Sequence, residues 1–483
     1  MAKSMLQFTH VERRTPEKRS AAERTGDFHE IYEDFTAEAA TAQAARCSQC
    51  GVPFCQQGCP LSNNIPDWLM LAAEDRLEEA YAISSATNNM PEICGRICPQ
   101  DRLCEGICTI EQSGHGTVTI GAVERYITDT AWAKGWVKPI SPPSERDQSV
   151  GIIGAGPGGL AAAEQLRRRG YGVTVYDRYD RVGGLLIYGI PGFKLEKEIV
   201  QRRHDRLADS GVSFELNTTI GRDVSFQDLR QRHNAILIAT GVYKGRDLKA
   251  PGVGATGVHA ALDYLTASNR SDLGDAVPEL DDGTLDAQGK RVVVIGGGDT
   301  AMDCVRTAVR QGAKSVTCLY RRDRANMPGS QREVANAEEE GVVFEWLASP
   351  EAVLHTKTSK AKGVRAARMK LGQPDASGRQ SPEATGETFE LKADLVIKAL
   401  GFDPEDLPAL WDEPALTVNR WGAVRVDYKT MMTNLKGVFA AGDIVRGASL
   451  VVWAIKDGRD AAAAIDRYLK AEARADAGLV AAE

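Results

Sequence analysis

Beyond residue 148 the apolar positions gather in short runs rich in Val and Ile, such as SVGII, GVTVY, KRVVVI and SVTCLY. Between them lie longer stretches whose apolar residues recur at helical spacing. That alternation predicts parallel sheets joined by crossover helices. Before residue 138 the pattern differs. FTAEAATAQAAR, IPDWLMLAAEDRLEEAYAISSATN and residues 118–136 carry helical periodicity and few turn residues, so this part predicts helices joined by loops. KPISPPSERDQS (138–149) has the Pro, Ser and charge content of a linker, and the polar stretch 268–290 predicts a surface connection. These breaks divide the chain into a helical domain (1–146), a first α/β segment (147–250), a second α/β domain (251–392) and a closing segment (393–483).

Two of the predicted strand-to-helix turns carry glycine signatures. In SVGIIGAGPGGLAAAEQL, Gly154, Gly156 and Gly159 have the spacing G-x-G-x-x-G. Such a turn lets the backbone approach a pyrophosphate and presents it to a helix N-terminus, where free N–H groups and the dipole favour an anion. Asp177 closes the next strand, GVTVYD, where a carboxylate accepts a ribose hydroxyl. In KRVVVIGGGDTAMDCV, Gly296, Gly298 and Ala301 repeat the spacing around Asp299 and Thr300. Its following strand ends in Arg321 and Arg322 rather than an acid, and guanidinium groups suit the 2′-phosphate of NADPH. The runs LIATG, with Thr240 and Gly241, and VIKALGF, with Gly401, look like strands that return from each unit. TNLKGVFAAGD ends in Gly442 and Asp443 before a further helix, a run that two-dinucleotide flavoproteins place on the ribityl chain of FAD. The order is FAD half, NADPH domain, FAD half, an inserted arrangement resembling the pyridine nucleotide-disulfide oxidoreductases. Disulfide-working members have a redox C-x-x-C beside these units; here Cys304 and Cys318 are far apart in sequence and read as buried structural residues.

Composition narrows the function classes. A net charge of −7 with 26% charged residues offers no basic surplus for nucleic acid. The start has no apolar signal region, and no run approaches the roughly 18 apolar residues of a membrane span, so a cytoplasmic protein without membrane contact is expected. In a reducing compartment, clustered cysteines bind metal or do redox work. Eight of the 10 cysteines fall between Cys47 and Cys108. Cys47, Cys50, Cys55 and Cys59 run C-x-x-C-x-x-x-x-C-x-x-x-C-P; Cys94, Cys98, Cys104 and Cys108 run C-x-x-x-C-P-x-x-x-x-C-x-x-x-C. Two fours, each with a Cys-Pro, point to two [4Fe-4S] clusters in which a late cysteine of one run serves the other cluster. Zinc is the alternative, though its sites favour paired C-x-x-C knuckles and only Cys47 and Cys50 form one.

With DFHEIY (27–32), GAGPGGL, DRYDRVGGLLIYGIPGFKL (177–195), GGGDTAMD and YRRDRANMPGS (320–330), the whole chain resembles the small (beta) subunits of NADPH-dependent glutamate synthases. The same module recurs in the N-terminal part of dihydropyrimidine dehydrogenase and in NADPH:ferredoxin-type electron-transfer subunits. The resemblance implies an α/β fold with two Rossmann-like domains behind an α-helical iron–sulfur domain. It implies an NADPH-dependent oxidoreductase that passes electrons through FAD and the clusters to a large (alpha) subunit carrying FMN, where glutamate is made from 2-oxoglutarate and glutamine. The chain starts Met-Ala-Lys, without the N-terminal cysteine of an amidotransferase, and leaves no length for an FMN barrel, so it is expected not to make glutamate alone. Gly183, Gly184 and Lys194 are expected along the flavin. In the relatives' pattern one cluster takes Cys59, Cys98, Cys104 and Cys108; the other takes Cys47, Cys50 and Cys55 with either Cys94 or Glu124 as its fourth ligand. A ferredoxin or a pyrimidine-reducing subunit remains open as the electron acceptor.

Overall fold

The computed structural model describes residues 4–375, 378 and 380–480. An extended lead-in reaches α1 (Ala37–Ala44), which is capped by Thr36 accepting the Ala39 N–H and ends three residues before Cys47. Helices α2 (Ile65–Ala73), α3 (Leu77–Thr87), α4 (Pro91–Ile97) and α5 (Ile120–Ala133) follow. The prolines of α2 and α4 sit in their first turns, where a missing N–H costs nothing. Ala44, Ile65, Trp68, Leu69, Val123 and Ile127 fill the core of this helical domain.

The first parallel sheet has the order β13-β4-β1-β2-β3, with β1 (Ser149–Ile153), β2 (Gly172–Tyr176), β3 (Ser213–Glu215), β4 (Ala235–Ile238) and β13 (Val438–Ala440). Helices α6 (Pro157–Arg167) and α7 (Lys197–Asp209) belong to this unit, and α11 (Val451–Val480) closes it. The second parallel sheet, β5-β12-β6-β7-β8, is built from β5 (Val258–Ala260), β6 (Arg291–Ile295), β7 (Ser315–Tyr320), β8 (Val343–Trp346) and β12 (Leu395–Lys398). Helices α8 (Ala261–Asp272), α9 (Asp299–Arg310) and α10 (Gln331–Glu339) pack with it. Because β13 pairs with β4 after the whole second sheet has been completed, the second unit is inserted in the first. The chain crosses between them on a two-stranded ribbon, Lys244–Gly245 against Phe402–Asp403.

Three features depart from the sequence expectation. The break at 393 is corrected: β12 hydrogen-bonds between β5 and β6, so the chain leaves the second sheet after Lys398. An antiparallel sheet, β9 (Ala348–His355), β10 (Ala361–Pro374) and β11 (Gln380–Lys392), extends the second unit and was not anticipated. The polar stretch 268–290 is also only partly a connection, since its first five residues complete α8.

The helical domain is not a separate globule. Leu61, Met90, Ile93, Cys94 and Cys98 share one apolar core with Val150, Leu160 and Leu186 of the first α/β unit. Charges reinforce the seam: Arg203 of α7 forms a buried ion pair with Glu92 of α4.

Candidate functional site

In the first turn the three glycines have different physical roles. Gly154 has φ of +112°, and a Cβ there would stand 2.3 Å from the Ala239 carbonyl oxygen. A Cβ on Gly159 would lie 2.0 Å from the Gly154 carbonyl oxygen, so that glycine lets α6 close onto its own turn. Around Gly156, the N-cap of α6, nothing lies within 4 Å of a Cβ position. This open cradle at a helix N-terminus fits a phosphate. Gly183 and Gly184 fold back onto it: the Gly183 N–H donates to the Ala155 carbonyl at 2.9 Å, and a Cβ on Gly184 would come to 3.0 Å from Gly156 Cα.

Asp177 follows β2 directly, beside the same turn. Its Oδ2 accepts the Ala155 N–H at 2.7 Å and its Oδ1 the Tyr179 N–H at 2.9 Å, which fixes the carboxylate with lone pairs to spare. Burial raises its pKa, and the two N–H donors oppose the rise. A cavity of about 290 Å³ opens here, lined by Gly154, Asp177, Arg178, Thr240, Tyr243 and Trp411. Thr240 Oγ1, on the cavity lining, is buried without a hydrogen-bond partner in the protein and is free to meet a ligand. Gly241 follows with φ of +70°. Gly442 caps a short helix starting at Asp443, whose carboxyl is pushed up to about 7 by burial, with Asp457 adding to the rise. The first turns of α6 and α11 abut, since a Cβ on Gly158 would meet the Ala454 carbonyl oxygen at 3.3 Å. Two helix N-termini therefore converge on one region, favouring a ligand that is anionic or becomes so on reduction.

The second turn repeats the geometry. Gly296 has φ of +152°, with a Cβ position 2.2 Å from the Ala399 carbonyl oxygen, while Gly298 at the start of α9 faces open space. Ala301 is buried in the third place, with Thr300 before it. Asp299 Oδ1 accepts the Ser330 N–H at 2.9 Å. Arg321 and Arg322 follow β7 directly; among the described residues neither has an acidic partner, and Arg322 Nε is buried without any. Gly401 lies at the crossing ribbon, its carbonyl accepting the Arg246 N–H.

Lys194, expected along the flavin, is engaged with the second unit. Its Nζ donates to Asp303 of α9 at 2.8 Å and lies 3.9 Å from Glu333 of α10, so it ties the first unit to the second. Burial lowers its pKa, but the carboxylates of Asp303, Glu333 and Asp299 outweigh this and lift it to about 12.

The cysteines form two groups, and they are not those the resemblance implied. Cys47, Cys50, Cys55 and Cys108 surround one small cavity. Cys98 contacts Cys94, and Cys104 and Glu124 press its pKa further up. Burial dominates the rise at Cys59, with Glu124 and Cys94 adding to it; Cys104 is raised by burial and then by Glu105, Cys59, Glu124 and, most weakly, Cys55. Cys108 therefore stands with the first run, whereas Cys94 and Glu124 both stand with Cys59, Cys98 and Cys104. Loop closure decides this, because the segment after Cys104 turns back and sets Thr109 Oγ1 3.1 Å from Cys50 Sγ. Glu124 Oε1 accepts from Ser84 Oγ at 3.2 Å, and burial lifts its carboxyl to about 8. Burial, with the neighbouring thiols adding to it, drives Cys47 up to about 11 and Cys55 to about 12. A cationic iron centre reverses that balance, so the donor set fits one. Gln49 Nε2 donates to Cys47 Sγ at 3.4 Å and Ser48 Oγ lies 3.0 Å from Cys50 Sγ, contacts of the kind that tune a cluster's potential.

Comparison with known proteins agrees with both halves. Residues 24–136 match the family model of dihydropyrimidine dehydrogenase domain II, 4Fe-4S cluster, and 148–458 match that of pyridine nucleotide-disulphide oxidoreductase. The glutamate synthase [NADPH] small chain of Azospirillum brasilense is 66% identical over 99% of both chains. The chain belongs to the glutamate synthase [NADPH] small-chain family. The Escherichia coli small chain is 45% identical over 97% of this chain and 100% of its own. In the same organism the putative oxidoreductase AegA is 47% identical over 94% of this chain but only 69% of its own length. Among solved structures, Mycobacterium tuberculosis FprA in complex with NADPH shares the fold, with a TM-score of 0.59 and 22% identity over 68% of this chain and 86% of its own. The chain is thus an NADPH oxidoreductase of the FAD/NADP type with a 4Fe-4S domain, and the 4Fe-4S match answers the zinc alternative.

Among the residues that sequence reading missed are Tyr179 and Tyr243, which flank the Arg178 guanidinium at 5.3 and 4.7 Å beside Asp177. The signal available was weak: an Arg-Tyr pair following the acidic strand end, and a lone Tyr after ATG.

Proposed function

We propose that the chain feeds electrons from NADPH to an FMN-bearing large subunit of glutamate synthase in the cytoplasm, holding FAD on the first turn, NADPH on the second, and two [4Fe-4S] clusters in the two cysteine groups. When bound, FAD accepts a hydride from NADPH and the clusters carry the electrons onward singly. The chain's own residues bind, orient and screen. Gly156 and Gly298 leave room for pyrophosphate, Asp177 takes a ribose hydroxyl, and Arg321 and Arg322 pair with the 2′-phosphate. Asp443 meets the ribityl chain, with α11 behind it supporting negative charge on the reduced ring.

The observation that carries this reading is the shared core. Cys94 and Cys98 pack into the same apolar cluster as the first sheet, so this cysteine group is the flavin-side one. Cys47, Cys55 and Cys108 pack against the core of the helical domain alone, whereas Cys59 touches both cores, which makes the Cys47 group the outer one. Cys98→Ser tests the order: iron content and electron export should fall while NADPH still bleaches the flavin absorbance. Loss of flavin reduction in a variant that retains FAD refutes it. AegA, in which this module makes up only part of a longer protein, favours a second reading in which the same module serves another acceptor. Co-purification with the native partner, followed by FMN assay, separates the two.

A further inference from the structure

The phosphate-binding helix α9 starts with an acid, Asp299. A carboxylate there competes with a bound anion for the positive helix end and repels a pyrophosphate. The same helix carries a second acid, Asp303, which the Lys194 ammonium neutralises from the first α/β unit. Asp299 also feels the Lys194 charge, and meets a second cation from a third direction. Arg102, on the loop between Cys98 and Cys104, places Nη2 3.7 Å from Asp299 Oδ2 and donates from Nη1 to the Pro328 carbonyl at 2.6 Å. Pro328 belongs to the loop that folds over the second turn, where the Gly329 N–H donates to the Gly297 carbonyl at 2.9 Å. The same cysteine-bearing loop is held from the other side, because Arg332 of α10 donates to Gln100 Oε1 at 3.0 Å.

We propose that Arg102, supplied by the iron–sulfur domain, is a positioning residue of the NADPH site: it neutralises Asp299 at the second glycine turn and so lets that turn accept the pyrophosphate. Affinity for the nucleotide then depends on how the iron–sulfur domain is seated against α9. The proposal rests on the assignment of the Gly296–Gly298 turn to NADPH and adds to it a residue from outside the nucleotide fold.

The test is a charge series read by NADP⁺ titration of the oxidised holoprotein, with FAD and iron content checked in each variant. Both partners are partly exposed, which limits the effect to that of a surface pair. Arg102→Gln should raise the NADP⁺ dissociation constant about three- to fivefold, and Arg102→Lys should leave it near wild type. Asp299→Asn should tighten binding by a similar factor, and the double variant should return to wild type. The differences should shrink in high salt. A flat series, or a double variant no better than Arg102→Gln, overturns the proposal; a merely structural Arg102 gives the latter. If Arg102→Gln loses FAD or iron, Asp299→Asn alone decides, with tighter binding in favour and unchanged or weaker binding against. Gly298→Val separates this from the underlying assignment. It should abolish NADP⁺ binding, and NADP⁺ binding that survives it removes the assignment itself, whereas abolished binding beside a flat charge series removes only the role of Arg102.

Discussion

Gly156 and Gly159 belong to one motif, yet alanine at the two positions should produce unrelated defects. At Gly159 the added methyl would lie 2.0 Å from the Gly154 carbonyl oxygen, more than 1 Å inside contact, and the obstacle is backbone that cannot rotate away. Overpacking of this kind costs about 1–3 kcal/mol, and an immovable neighbour puts it at the upper end. Roughly 3 kcal/mol corresponds to a fall in melting temperature of about 6–12 °C for a unit of this size. At Gly156 the methyl meets nothing within 4 Å and the backbone φ is −78°, so the fold should be indifferent. The methyl instead stands where, on the function proposed above, the pyrophosphate approaches. Losing one charge-assisted N–H contact costs about 1.5–3 kcal/mol, a factor of roughly 10 to 100 in FAD dissociation constant. Thermal melting by near-ultraviolet circular dichroism, and FAD titration of flavin-stripped protein, measure the two quantities separately. Equal melting temperatures for the two variants, or wild-type FAD affinity in Gly156→Ala, would refute this division of labour.

Three further outcomes follow from other parts of the molecule. Cys108→Ser should resemble Cys55→Ser and differ from Cys104→Ser in the electron paramagnetic resonance of the reduced protein, since Cys108 stands with Cys47, Cys50 and Cys55; a match to Cys104→Ser would restore the partition implied by resemblance. Arg321→Ala with Arg322→Ala should weaken NADPH binding about 10- to 100-fold and leave NADH nearly unchanged, whereas equal losses would remove the 2′-phosphate role. Burial lowers the Lys197 pKa to about 7, against partial opposition from Asp272 and Asp303. The unfolded chain keeps that proton up to its ordinary value of 10.5, so the contribution of Lys197 to stability rises with pH across that window. Lys197→Met should flatten the rise in denaturant melts between pH 7 and pH 10, and an unchanged slope would show that Lys197 stays charged in the folded protein.

Much of this architecture was legible in the chain because glycine turns and cysteine runs report local physics. A G-x-G-x-x-G between a strand and a helix has few other uses, and eight clustered cysteines need a common purpose. What escaped depends on long-range closure. Spacing could not reveal that the loop after Cys104 returns Cys108 to Cys50, nor that Lys194 reaches Asp303, 109 residues away. The boundary at 393 failed because β12 returns to a sheet begun more than a hundred residues earlier, while its own sequence only says buried strand. The β9–β11 sheet was missed because most of β11 is exposed and polar, and because β10 buries mainly small residues such as Ala361, Gly363, Ala366 and Ala367, which leave little apolar alternation to read. Arg102 had no local signal at all, since its significance lies in where another domain's helix begins.

The joint apolar core of Cys94 and Cys98 with β1 and α6 has a practical corollary. A fragment starting near residue 147 would keep both nucleotide turns but inherit an oily wound where Leu61, Met90 and Ile93 had been, and would tend to stick to itself in solution. The module is therefore expected to travel as one piece, in keeping with AegA's longer chain, which matches 94% of this one.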